Sequence, residues 1–74
     1  MTRYLSAEKR ATDDFDEPFT GKPGEVVYDA KTRHGPWATM TAKSFAIHGR
    51  GSLGTGQGQK YERNEAGEFH KIAG

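Results

Sequence analysis

Apolar and polar residues first alternate over residues 25–31. There Val26 and Tyr28 fall on one side of an extended chain and Val27 and Asp29 on the other, which predicts a β-strand. Gly35-Pro36 breaks this pattern, and residues 37–40 begin a second short strand at Trp37. Thr41 carries the hydroxyl of a helix N-cap, so a helix is predicted over residues 42–48, closed by Gly49. Its spacing puts Ala42, Phe45 and either Ile47 or Ala46 toward the core. So short a helix is marginal alone and requires packing.

Residues 49–58 contain five glycines, too many for a helix or a well-packed strand, and predict a compact loop with glycines at positive φ. Residues 59–63 and 68–72 then flank Asn64-Glu65-Ala66-Gly67, the pattern of a hairpin with a four-residue loop. Upstream, residues 13–24 carry Pro18, Pro23, Gly21 and Gly24 among charged side chains and read as turns. Residues 1–12 hold no sustained period beyond a single helical turn and are expected to form a flexible N-terminal arm. The pattern as a whole predicts one α+β domain over residues 13–74: a small three- or four-stranded antiparallel sheet with one short helix.

Composition limits how this domain can be held together. The chain has 74 residues, of which 32% are hydrophobic and ten are glycine, so it supports one small core. It has no cysteine, which removes disulfides and thiolate zinc sites as staples and leaves packing to supply stability. No apolar run approaches the roughly 18 residues of a membrane span, and the first residues lack a signal-peptide core. A monomer in the cytoplasm, without membrane contact or cofactor, is the expectation.

The net charge of +1 conceals an asymmetry. Residues 1–29 hold seven acids against four bases (−3), and residues 30–74 three acids against seven bases (+4). Residues 30–60 contain no acid, but carry Lys31, Arg33, Lys43, Arg50 and Lys60 with His34 and His48. Such a stretch either attracts an acidic protein surface or phosphate, or is a solvated face balanced by the acidic half. Tyr28, Trp37, Phe45 and Tyr61 interleave with these bases in a way that suits single-stranded nucleic acid, although a small core also needs aromatic residues.

Catalytic and cofactor motifs fail on context. Gly49-Arg50-Gly51-Ser52-Leu53-Gly54 has the glycine spacing of a dinucleotide fingerprint, but it follows a helix where that motif requires a strand. No glycine is followed by Lys and then Ser or Thr, which excludes a P-loop. Ser6, Ser44 and Ser52 lack a nucleophile elbow, the three histidines are not spaced as a metal pair, and Asp13, Asp14, Asp16 and Glu17 form a solvated cluster beside Pro18. The expectation is therefore a protein that is not an enzyme.

Two blocks, Tyr28-Asp29-Ala30-Lys31-Thr32-Arg33-His34-Gly35-Pro36-Trp37-Ala38-Thr39-Met40 and Leu53-Gly54-Thr55-Gly56-Gln57-Gly58-Gln59-Lys60-Tyr61, resemble a family of small phage-encoded, zinc-ribbon-like proteins. The resemblance spans residues 13–74. It implies a ribbon whose four zinc-binding cysteines are replaced here by Asp13, Asp16, Thr41 and Ser44, a set that binds zinc poorly. The expectation is a metal-free fold in which Asp13 and Asp16 accept hydrogen bonds from Thr41, Ser44 or their amides. It further implies a phage accessory protein that binds a host protein complex, foremost RNA polymerase, through Lys31, Arg33, His34, Trp37, Arg50 and Lys60, with Gly35 and Pro36 shaping the surface. The alternatives are a nucleic-acid-binding module using the same stretch and a virion component.

Overall fold

The structure is a computed structural model that describes residues 10–74. Four strands, β1 (Val26–Lys31), β2 (Trp37–Thr41), β3 (Gly58–Arg63) and β4 (Phe69–Ala73), form one sheet in the order β2-β1-β3-β4, with every pairing antiparallel. Helix α1 (Ala42–His48) follows β2 directly. This is a small α+β fold with a four-stranded antiparallel sheet and one short helix.

The two faces of the sheet are filled differently. Val27 of β1, Tyr61 of β3 and Phe69 of β4 lie on one face and make the buried core, against which Phe19 of the preceding loop packs. Tyr28, one residue along β1, points the other way and stacks on Phe45 of α1, with ring centroids 4.0 Å apart. Met40 is fully buried on β2 opposite Tyr28. Loop 10–25 thus covers one face and the helix the other. Gly58 pairs with Ala30 of β1, and a Cβ there would collide with Ala30, whose Cα would lie only 2.8 Å away.

Thr41 caps α1 by accepting the Ser44 N–H on its hydroxyl at 3.2 Å, and the Gly49 N–H closes the other end onto the Phe45 carbonyl. The inward face differs from the sequence expectation. Ser44 is the buried residue of the helix, Phe45 and His48 are half-buried, and Ala42, Ala46 and Ile47 are exposed, Ile47 by 52%. The reason is where the helix sits: its inner side meets the loop around Asp13 as well as Tyr28, so positions 41, 44, 45 and 48 turn inward, and His48 stacks on Phe15 at 4.0 Å. The N-terminal boundary also moves. Of the expected arm, residues 1–9 lie outside the described residues, but the Ala11 carbonyl accepts the Phe19 N–H, Thr12 bridges to Pro18 and Arg10 pairs with Asp14, so residues 10–12 belong to the fold.

The β3–β4 hairpin turns on Asn64, whose Oδ1 accepts the amides of Ala66 and Glu68. A buried ion pair ties this hairpin to loop 10–25. Arg63 Nε donates to Glu25 Oε1 at 3.1 Å with both side chains at most 7% exposed, and Glu25 also accepts the amides of Thr20 and Gly21. Arg63 spends Nη1 on the Gly67 carbonyl and lies over the Phe69 ring.

Candidate functional site

The turn between β1 and β2 is rigid. Thr32 donates both its amide and its hydroxyl to the Pro36 carbonyl at 2.9 Å, Gly35 donates back to Thr32, and the Arg33 amide bonds the His48 carbonyl at the end of α1. Gly35 completes this turn at a φ of +105°, a conformation that side-chain-bearing residues rarely adopt. Exposed on this frame are Arg33, His34 and Trp37, the last 44% exposed at the start of β2. Trp37 therefore serves the surface, although so small a core would have been expected to claim it.

Across from the turn, the segment after α1 comes alongside through the Thr32–Gly49 bridge. Arg33, Phe45, Ala46, Gly49, Arg50 and Gly51 together line an open groove of about 430 Å³. Arg33 Nε reaches the Gly49 carbonyl at 3.4 Å, which also sets a cation at the C-terminal end of the helix dipole. No acid lines this groove.

The six residues expected to contact a partner thus fall into three groups. Arg33 and Arg50 share the groove, with His34 exposed on the adjoining turn. Lys60 lies on the same sheet face as the groove wall, its ammonium 5.8 Å from the centre of the Tyr28 ring that stacks on Phe45. Lys31 and Trp37 are paired across β1 and β2 and share the opposite face.

The glycine-rich loop divides in two. Residues 54–58 close on themselves: the Gly54 N–H donates to the Gly58 carbonyl, the Gln57 and Gly58 amides donate to the Gly54 carbonyl, and the Gln57 carbonyl accepts from Lys31. Residues 50–52 are exposed, and Gly49, Arg50 and Gly51 line the groove.

Of the four positions matched to zinc-binding cysteines, three meet and one does not. Asp13 is 2% exposed; its Oδ2 accepts the Thr41 amide at 2.8 Å, and its Oδ1 accepts the amides of Phe15 and Glu17 at 2.8 and 2.9 Å. Burial pushes the Asp13 carboxyl up, but the nearby Ser44 hydroxyl and these three amides outweigh it and hold its pKa below the ordinary aspartate value. The Ser44 hydroxyl favours the ionised carboxylate by proximity, while its geometry stops short of a full hydrogen bond.

Asp16 is the departure. The turn tightened by the Asp13 carboxylate throws Asp16 outward, exposed and at a φ of +65°. Asp14, itself exposed, makes the second carboxylate contact to β2: its Oδ2 accepts the Thr39 amide at 2.7 Å, its own amide bonds the Thr39 carbonyl, and Arg10 grips its Oδ1 at 2.6 Å. Asp29, on the neighbouring strand, is raised above the ordinary value by burial and then by the charge of Asp14. Among the described residues, no three His, Asp or Glu side chains gather into a metal site.

Sequence reasoning missed Asp14, Phe45 as a groove wall and the Glu25–Arg63 pair. The adjacent Asp13-Asp14 was the available signal for the first. Compared with known proteins, the chain matches no family model, no curated protein and no solved structure.

Proposed function

We propose that this protein is a non-enzymatic binding module that docks an acidic protein surface on the turn and groove formed by Arg33, His34, Arg50 and the flanking Trp37. The observation that carries this reading is the hydrogen-bonded turn holding exposed Arg33 and His34 beside an arginine-lined groove free of acids, with Trp37 exposed at the end of the turn on the opposite face. Preorganised arginine and tryptophan anchors are the residue types that concentrate binding energy at protein interfaces. The acids that could have worked as catalysts have structural duties: Asp13 and Asp14 hold backbone amides, and Glu25 neutralises Arg63.

In its finer form the proposal names the partner. The resemblance to small phage-encoded zinc-ribbon-like proteins supports a phage accessory protein acting on host transcription machinery, with bacterial RNA polymerase as the target, a step taken by analogy. The same surface supports nucleic-acid binding less well, since Tyr28 and Phe45 stack on each other and are not free to stack on bases.

Purified bacterial RNA polymerase is the test. Saturable, stoichiometric binding that the Arg33→Glu/Arg50→Glu variant abolishes is the expected result. An absence of binding, together with tight oligonucleotide binding that collapses with salt, would reverse the assignment.

A further inference from the structure

The groove concentrates hydrogen-bond donors with nothing to receive them. Arg33 uses its Nε on the Gly49 carbonyl, and its terminal guanidinium nitrogens make no hydrogen bond among the described residues. Among the same residues Arg50 makes none through its guanidinium. Among the described residues the amides of Arg50, Gly51 and Ser52 likewise donate to no acceptor, whereas in the other half of the same loop Gly54, Gln57 and Gly58 all donate. Gly51 has a φ of +81° and open space where a Cβ would stand, so the backbone is uncovered on that side.

The end of a helix normally opposes an anion, because its last carbonyls point outward. Here two of the last four are spent, whereas those of Ala46 and Ile47 accept no hydrogen bond among the described residues. Phe45 O is taken by the Gly49 amide, His48 O by the Arg33 amide and Gly49 O by Arg33 Nε. The groove itself is lined by two arginines, with the Phe45 ring as an apolar wall.

We propose that this groove is a phosphate-binding site that takes the dianionic group of inorganic phosphate or of a small phosphomonoester between Arg33, Arg50 and the 50–52 amides. Guanidinium forks and clustered backbone amides match the several acceptor oxygens of a tetrahedral anion better than the two of a carboxylate. The volume of about 430 Å³ falls in the range of small-ligand sites. The site deepens the partner-binding reading above and rests on it for its biological use, since a phosphate there would occupy or bridge the docking surface.

The test is a titration of the ¹⁵N-labelled protein with inorganic phosphate and with phosphoserine, each at constant ionic strength against sodium chloride. Saturable shifts at the amides of Arg50, Gly51 and Ser52 are expected, with affinity at least about tenfold weaker in Arg50→Gln and in Arg33→Gln. The exposed Arg50 side chain makes no hydrogen bond or ion pair among the described residues, so Arg50→Gln is expected to leave the fold intact. Saturation with both probes supports the phosphomonoester site, and saturation with inorganic phosphate alone restricts it to the free ion. Shifts that follow ionic strength only, or that survive both substitutions, overturn the site. A single-stranded oligonucleotide that displaces phosphate and binds with a steep salt dependence would overturn it in favour of a polynucleotide backbone. Loss of phosphate binding with polymerase binding intact fails this inference alone, and the converse fails the docking reading alone.

Discussion

Asp13 spends both carboxylate oxygens on the backbone, joining the turn that contains it to the junction of β2 and α1. Asp13→Ala would leave three amides without their acceptor, and we predict a loss of about 3 kcal/mol in urea unfolding at neutral pH. The pH dependence has a definite sign. Because folding lowers the Asp13 pKa, its contribution is present above the ordinary aspartate value of 3.8 and is lost as pH falls through the lower folded value. Asp29 works in the opposite sense. Its raised pKa means that folding favours the protonated form, so its contribution is fully present below 3.8 and is lost as pH rises through the folded value. Asp29→Asn should therefore raise the melting temperature at pH 7 and leave it nearly unchanged at pH 3. A destabilised Asn variant at both pH values would contradict this.

At the scale of elements, the strands, the helix and its cap were legible because each is written in local signals. Thr41, Gly49, the alternation around Val27 and the Asn64 turn sit inside or beside the segments they define. What was not legible was set by distant partners. Asp14 and Thr39, or Glu25 and Arg63, are far apart in sequence, and no periodicity announces their pairing. The inner face of α1 was misjudged for a related reason: a seven-residue helix has too few apolar residues to fix its own orientation, so the loop around Asp13 decides it. Of the candidate site, the basic residues were visible as a run without acids, but only the fold shows that Arg33 and Arg50 share a groove while Lys31 and Trp37 lie on the other face. Removing Arg63 should be costly. Arg63→Ala strands the buried Glu25 carboxylate and is predicted to cost about 3–5 kcal/mol in the same unfolding experiment, whereas Arg50→Ala should change stability by less than about 0.5 kcal/mol.

Over the whole molecule, the sheet protects its two edges unequally. β2 is an edge strand, yet Asp13 and Asp14 bind the outward amides of Thr41 and Thr39 as a neighbouring strand would. Hydrogen exchange should accordingly find these two amides protected as well as those of the central strand β1, and Asp14→Ala should expose Thr39 selectively. With one edge sealed, one face under the helix and the other under loop 10–25, the β1–β2 turn and its groove present Arg33, His34 and Arg50, and no acid lines the groove. The measurement that bears most directly on that assignment is an equilibrium binding isotherm with purified bacterial RNA polymerase, comparing the native chain with Arg33→Ala/Arg50→Ala. The account predicts one-to-one saturation weakened at least about tenfold, or ~1.4 kcal/mol, by the double substitution. Equal affinity of the two proteins, or no binding by either, would contradict it.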